Sequence, residues 1–411
     1  MKLLFISNFY PPHHLGGYEL LCQEIATHLA RRGHQVYVLT SRHGATPDEH
    51  EPGIFRRLFL QSDVHYYHPQ QILRYLPDRR ANRNSVREVL AAVQPDFAVV
   101  WGMWNLSWSV AAEAETVMGS RVAYYLNNAW PMDPSPHEAY WSSHGNRRLG
   151  RTFLRVLRGP VAWLLQEEWL PCKLRLEHVA VCSLATKEQL RQAGLNTDHY
   201  RVIYHGIDIA AYRQAAVARQ RAADDAVLRV VFVGSLLPQK GVHTAIEAMG
   251  LLSQTHPTLP VSLDILGAGH PDYEDRLHRM VAEFSLADRV TFHKPIPRSQ
   301  LPAFLAEYDA LVLPSIWEEP MALISQEAMA AGLVLIGTLT GGTKEILVEG
   351  ENGLTFPPEG SRALAAQIQR LMEDSALRHN LSEAGQATAE ARFALERTLS
   401  ELESSWTQTS T

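Results

Sequence analysis

Short apolar runs alternate with amphipathic helical stretches along this chain, and they do so in two series. The first holds Leu3–Ile6, Gln35–Leu39, Phe97–Val100, Val122–Tyr125, His178–Cys182 and Val202–Tyr204. The second holds Arg229–Val233, Ser262–Leu266, Arg289–Phe292, Ala310–Leu313, Val334–Gly337 and Gly353–Phe356. Brief apolar strands recurring between helices are the pattern of βα units and parallel sheets. The polar stretch 210–226, rich in Ala, Arg and Asp, separates the series and reads as a linker. The chain is therefore expected to be α/β, with one parallel sheet in each of two domains. A last segment, Arg392–Trp406, is helical in character.

Bulk properties narrow the function. At 411 residues there is ample core for two or three domains. The 46% hydrophobic and 20% charged fractions are those of an ordinary soluble protein, and a net charge of −6 argues against a nucleic-acid partner. Cys22, Cys172 and Cys182 are too few for a disulfide framework, no Cys/His cluster has zinc spacing, and buried apolar packing is the expected use of these thiols. Met1–Ile6 is a short apolar run that soon meets Ser7-Asn8 and Pro11-Pro12, which suits a first buried strand better than a signal peptide. No window reaches the ~18–20 uninterrupted apolar residues of a spanning helix. A cytoplasmic chain is expected.

The stretch Leu311–Gly332, LVLPSIWEEPMALISQEAMAAG, carries the strongest chemical signal. An apolar strand ends in Pro314-Ser315, and Glu319 and Glu327 then flank the start of a helical segment. Ligands of open α/β sheets bind at the carboxyl ends of strands, and carboxylates there can each accept from a pair of neighbouring hydroxyls, as on a sugar or ribose. Downstream, Gly341-Gly342-Thr343-Lys344-Glu345-Ile346 makes a two-glycine turn that opens a short helix. Glycines let backbone N–H groups approach a phosphate closely, and a helix N-terminus favours negative charge. Upstream, VVFVGSLLPQK (Val230–Lys240) followed by Gly241 reads as a strand, a tight turn at Gly234 and a lysine at the next helix start. Such a lysine can neutralise a phosphate as a point charge.

These segments, in this order, resemble the retaining glycosyltransferases of the two-Rossmann-domain (GT-B) architecture, and more narrowly glycosyltransferase family 4. The resemblance spans nearly the whole chain. It includes the opening LLFISNFYPPHHLGGYELLCQEIATHLARRGHQVYVLT with Gly16 and Gly17, the segment RVIYHGID (Arg201–Asp208), and LDILGAGH around Gly267 and Gly269. It implies two Rossmann-like domains whose parallel sheets face across a cleft. The N-terminal domain (1–209) would hold the acceptor, 210–226 would be the linker, and 227–390 would hold the donor. A helix from 391 to 411 would pack back on the first domain.

The resemblance also implies roles for residues. Glu327 would hold the ribose hydroxyls, Glu319 the hydroxyls of the transferred sugar, and Lys240 the diphosphate. Gly234, Ser235, Met321, Ala322 and Leu323 would line the donor. Gly16 and Gly17 would face its phosphates, and Gly267, Gly269, Lys294, Pro295 and Ile296 would lie near the base. With Lys240 and amide groups stabilising the leaving group, no metal and no cofactor is required. The donor substrate would be a nucleotide-diphosphate sugar, in cell-envelope or polysaccharide biosynthesis. Retention would proceed by front-face attack, with the departing phosphate oxygen taking the acceptor's proton.

Three positions depart from the family pattern. Ser235 stands where an arginine is usual, which removes ~1.5–3 kcal/mol of charged hydrogen bonding unless Arg298 or Lys344 supplies a cation. Ala322 replaces a glycine in Glu319-Pro320-Met321-Ala322. After Val122–Tyr125, Asn127 stands where a histidine lies near the anomeric centre, and asparagine can hold a hydroxyl but not titrate. Trp101 and Trp104 read either as packing or as a sugar-stacking wall for a hydroxyl acceptor. The stretch 147–169, RRLGRTFLRVLRGPVAWLL and beyond, interleaves arginines with apolar and aromatic residues. It reads either as a solvated arginine face or as a peripheral contact with the inner face of a membrane. Two other functions keep the fold: an impaired nucleotide-sugar-binding relative, and a GT-B epimerase or phosphorylase.

Overall fold

The structure is a computed structural model describing residues 1–46, 51–64, 66–142, 160–161, 163–165, 174–218 and 227–407. The chain divides into two compact units. The first comprises Met1–Cys182, Thr186–Ile203 and Leu399–Thr411; the second comprises Ser183–Ala185 and Tyr204–Thr398.

The first unit is built on a parallel sheet of β1 (Lys2–Ile6), β2 (Gln35–Ser41), β3 (Ile54–Leu58), β4 (Phe97–Val100), β5 (Val122–Leu126), β6 (His178–Val181) and β7 (Arg201–Val202). Among the described residues its order is β3-β2-β1-β4-β5-β6-β7. The order reverses between β1 and β4, and such a switch opens a crevice at the carboxyl ends of the strands. Leu4, Ile6, Val100, Tyr124 and Val181 form the core with Val86 and Val110 from covering helices. Residues Leu399–Thr407 belong to this unit: Leu399, Leu402 and Trp406 are buried, and the Glu403 carboxylate lies between Arg32 and His34 Nε2, 2.7 Å from the latter.

The second unit repeats the plan. Its strands are β8 (Leu228–Val233), β9 (Val261–Leu266), β10 (Val290–His293), β11 (Ala310–Leu313), β12 (Val334–Thr338) and β13 (Gly353–Phe356). They run parallel in the order β10-β9-β8-β11-β12-β13, with the reversal between β8 and β11. The core gathers Val230, Phe232, Ile265, Val312 and Ile336 under helices that contribute Ile246, Leu277 and Ile368. Among the described residues no helix is long and apolar enough to cross a membrane.

The apolar runs appear as strands with ends shifted by a residue or two, but β3 is an addition. Its sequence, IFRRL, carries two arginines that hide the apolar period. An edge strand is paired on one side only and tolerates such charge. Here Arg56 donates to the carbonyls of Tyr10 (3.1 Å) and Pro11 (2.7 Å) and meets Glu51 at 3.0 Å. The stretch expected as linker is helical over Ile209–Ala218 and lies within the second unit, because Tyr212 is buried and the helix packs on Leu301–Leu305 and Leu323–Ala330. Residues 219–226 lie outside the described residues, as does most of 147–169, the basic stretch; of the latter, Val161 and Leu165 are buried and Trp163 exposed. Cys22 and Cys182 are buried thiols, and Cys172 is outside the described residues.

Burial of histidine sets an acid limit on stability. His137, buried, has Nδ1 2.6 Å from the Tyr67 hydroxyl, which itself accepts from Trp141 Nε1 at 3.1 Å. Burial lowers the His137 pKa from 6.5 to about 4, so the ring bonded to the tyrosine is neutral near pH 7. The unfolded chain takes up this proton near pH 6.5 and the folded chain only near 4, so the contribution is complete above 6.5 and lost as the pH falls toward 4. The loss is about 3 kcal/mol at full protonation. In urea unfolding at pH 7 and pH 4.5, His137→Gln is expected to shrink the acid-induced drop seen in the parent protein; an unchanged drop rules this cause out.

Candidate functional site

In the second unit the loops leaving β8 and β11 meet. After β8 the chain turns at Gly234, makes one 3-10 turn over Pro238–Lys240, and enters the helix Val242–Thr255 through Gly241 at φ 70°. A β-carbon on Gly241 would lie 1.9 Å from the Pro314 carbonyl oxygen, so this crossing requires glycine both for its backbone and for its space. The Ile316 N–H donates to the Gln239 carbonyl (2.9 Å) and ties the loops together.

Lys240 Nζ is thereby held 2.7 Å from both carboxylate oxygens of Glu319. Ser315 Oγ (3.0 Å) and Trp317 Nε1 (2.8 Å) donate to Glu319 Oε2 as well. The ammonium also lies 5.3 Å from the centre of the Trp317 ring. A carboxylate with only 7% of its side chain exposed is tolerable because each oxygen has charged or polar donors. Glu327, on the helix Leu323–Ala330, is buried more deeply and pairs with Arg298 Nη1 at 2.6 Å. Arg298 opens the turn that follows β10 and the segment Lys294-Pro295-Ile296. The strand order thus collects Lys240, Arg298, Glu319 and Glu327 at one end of one sheet.

The two-glycine turn after β12 packs on the same loop. Gly341 has φ 51°, and a β-carbon there would lie 2.0 Å from the Glu319 carbonyl oxygen. The Gly342 N–H donates to that carbonyl (2.7 Å), and the Gly341 N–H to Glu318 Oε2 (2.6 Å). Lys344 Nζ lies 3.4 Å from Glu318. The neighbouring glycines serve similar packing: β-carbons on Gly267 and Gly269 would lie 2.0 and 1.8 Å from the carbonyl oxygens of Gly234 and Leu236. The Gly267 N–H is taken by the His293 carbonyl and the Gly269 N–H by Glu274.

Several expectations change here. Arg298 is paired with Glu327, and Lys344 with Glu318, as Lys240 is with Glu319. Met321 is buried, with its methyl 3.1 Å from where a Gly342 β-carbon would sit, so its side chain packs inward on the glycine turn. Ser235 is exposed, whereas Ala322 and Leu323 are half-buried at the helix start. Ser315, Trp317 and Glu318 were not singled out from sequence; their position between the strand end and Glu319 was the available signal.

In the first unit, Gly16 and Gly17 follow the β1 loop and start the helix Gly17–Arg31. The Gly16 N–H donates to Glu19 Oε2 at 3.0 Å, and burial raises the Glu19 pKa. Asn127 follows β5 and lines a cavity of about 90 Å³ with Asn8, Glu19, Trp101 and Trp104. The two tryptophans separate in role. Trp101 is core, 2% exposed, stacked on Tyr18 and donating to the Tyr18 carbonyl at 3.1 Å. Trp104 is 45% exposed and stands in the cavity wall.

Comparisons with known proteins agree with this architecture. Residues 15–211 match the family Glycosyltransferase Family 4, and residues 215–388 match the family Glycosyl transferases group 1. The glycogen synthase of Mycobacterium tuberculosis is 25% identical over 405 residues, covering 92% of this chain and 87% of the relative. The D-inositol 3-phosphate glycosyltransferase of Acidothermus cellulolyticus is 30% identical over 190 residues, 44% of this chain and 42% of the relative. Among solved structures, HepE of Anabaena in complex with UDP and glucose has a TM-score of 0.70 at 23% identity, covering all of both chains. Sucrose-phosphate synthase of Thermosynechococcus elongatus also has a TM-score of 0.70, at 21% identity and covering 98% of this chain and 97% of the other. These structural likenesses speak to the fold. The two family matches together run from residue 15 to residue 388, and the chain belongs to the nucleotide-sugar glycosyltransferases of the GT-B fold that join a family 4 domain to a group 1 domain.

Proposed function

We propose that this enzyme moves a hexose-type sugar from a nucleotide-diphosphate sugar to a hydroxyl acceptor, with retention of configuration and without a metal ion. The Lys240–Glu319 pair carries this reading: a cation and a buried carboxylate touch at the carboxyl end of the donor-type sheet. Breaking the anomeric bond builds negative charge on the diphosphate and positive charge on the sugar. Lys240 meets the first need as a point charge. Glu319 meets the second by accepting from sugar hydroxyls and fixing the ring's orientation.

Donor binding exchanges partners within this pair. As Lys240 turns to the diphosphate, Glu319 Oε1 is released for a sugar hydroxyl, while Ser315 and Trp317 continue to hold Oε2. Glu327, buried and paired with Arg298, accepts from the ribose hydroxyls. The amides at Ala322–Leu323 open a helix toward the phosphates. Asn127, in the first unit, serves as a hydroxyl-binding group. The acceptor attacks from the face the diphosphate leaves, and the departing phosphate oxygen takes its proton. UDP is the first nucleotide to try, because HepE was solved with UDP and with UDP-glucose.

The second reading, a donor-binding protein that has lost turnover, draws on Asn127 and on Ser235 at the phosphate loop. It expects UDP-glucose to bind with neither transfer nor hydrolysis. Calorimetry on variants tests the division of labour. Glu327→Ala is expected to weaken bare UDP by roughly tenfold to a hundredfold, whereas Glu319→Ala spares UDP and weakens UDP-glucose by a similar factor. Equal losses of both ligands in both variants would refute it. Treatment with EDTA is expected to leave the rate of UDP-glucose turnover within about twofold; a loss restored by Mg²⁺ or Mn²⁺ would overturn metal independence.

A further inference from the structure

Beside the small cavity of Asn127 lies a larger one of about 520 Å³, wholly within the first unit. The two share Trp104, Asn128 and Trp130. Trp104, Trp108 and Trp130 stand in the larger wall with Tyr66, Tyr67 and Asp133. Its volume lies in the range of small-molecule sites, which are typically walled by aromatic side chains with a few placed polar groups.

Both flanking loops are clamped before any ligand arrives. Asn105, buried at φ 63°, accepts from the Ser62 N–H (2.8 Å) and Oγ (2.9 Å) and donates to the Ser62 carbonyl (2.8 Å). That fixes the loop at 61–63. Opposite it, Asn128 Oδ1 accepts from the Trp130 N–H (3.1 Å), and the Met132 and Asp133 N–H groups both reach the Ala129 carbonyl. Ser135 and Glu138 then cap each other's backbone (3.2 and 2.6 Å). Walls held this way present their side chains at little ordering cost.

The chemistry of the lining is selective. Indole and phenol faces stack on the C–H faces of a pyranose ring, and a carboxylate accepts from its hydroxyls. Among the described residues nothing donates to the Asp133 carboxylate, and burial raises its pKa. Asp63 and Glu138 add two more acids, and no Lys, Arg or His is among the described lining residues. Such a wall repels phosphates and uronates.

We infer that this cavity binds a neutral saccharide acceptor, its ring stacked on Trp104 and the neighbouring aromatic faces and its hydroxyls donating to Asp133. The inference rests on the proposed transferase reading in taking the bound sugar as the acceptor. Through the shared wall of Trp104, Asn128 and Trp130, a free hydroxyl of that sugar comes beside Asn127. The acceptor is then selected by ring stacking and by charge repulsion.

Saturation-transfer NMR on the full chain tests this with maltose, cellobiose and lactose as neutral probes and glucose 6-phosphate as the charged one, UDP binding being followed on the same samples. At least one neutral disaccharide is expected to bind, at least fivefold more tightly than glucose 6-phosphate. Trp104→Ala, at an exposed position, and Asp133→Asn, nearly isosteric, are each expected to weaken it about fivefold to tenfold while leaving UDP binding unchanged. Failure of all three disaccharides to bind a protein that binds UDP overturns the inference. So do variants that bind as the parent does, or a preference for glucose 6-phosphate. Saccharide binding that responds to both substitutions supports it even in a protein that fails to bind UDP, a result that would overturn the donor reading alone.

Discussion

Seventy-nine residues separate Lys240 from Glu319, and the hydrogen-bonded pairing of β8 with β11 is what closes that distance. The pairing places two strand ends side by side at the point where the strand order reverses. Each loop leaving them is then free to turn toward the other. Gly241 crosses against the Pro314 carbonyl, Ile316 bonds back to Gln239, and the ammonium arrives at the carboxylate. The helix carrying Glu327 and the glycine turn after β12 are anchored on this junction in turn. A side chain at Gly241 or Gly341 would collide with main-chain carbonyls on the opposing loop, and no rotamer change could relieve that.

Both units close a glycine turn in the same way. The Gly16 N–H is held by Glu19 and the Gly341 N–H by Glu318, each carboxylate coming from within the same unit. Amides at helix starts have no intrahelical acceptor and must find one elsewhere. Here an acidic side chain supplies it. Each site acid in the second unit likewise has its own cation, Lys240 for Glu319 and Arg298 for Glu327. These charges are balanced within the unit, so the loops carry no net repulsion that would drive them apart.

Much of the fold was legible because its signals are local. A buried parallel strand must be apolar on both faces, and the runs at Leu3–Ile6 and Ala310–Leu313 show it without ambiguity. β3 was not legible, since Arg56 and Arg57 interrupt its period, and the Tyr10 and Pro11 carbonyls that Arg56 meets and the Glu88 carboxylate that Arg57 meets are brought close only by folding. The helix Ile209–Ala218 was masked by its Ala-rich composition, and only its packing shows that Tyr212 is buried. Trp101 and Trp104 look alike in the sequence. Both border the small cavity of Asn127, but Trp101 is core at 2% exposure and Trp104 is 45% exposed, a difference that only folding sets.

The sequence by itself determined the alternation of strands and helices, the strand ends that carry chemistry, and the residue types placed there: a lysine, two glutamates and paired glycines. These follow from periodicity and from side-chain chemistry, which need only neighbours along the chain. Tertiary structure alone decided which cation meets which acid, that Arg298 serves Glu327, and that Ser315 and Trp317 brace Glu319. It also decided that the glycines at 267 and 269 pack on backbone carbonyls, and that an aromatic cavity forms beside Asn127. Apart from the bracing of Glu319 by its near neighbours Ser315 and Trp317, which depends on how the loop after β11 folds back on itself, these are contacts between segments far apart in sequence, set by strand order and loop crossing, and no local pattern encodes such distances.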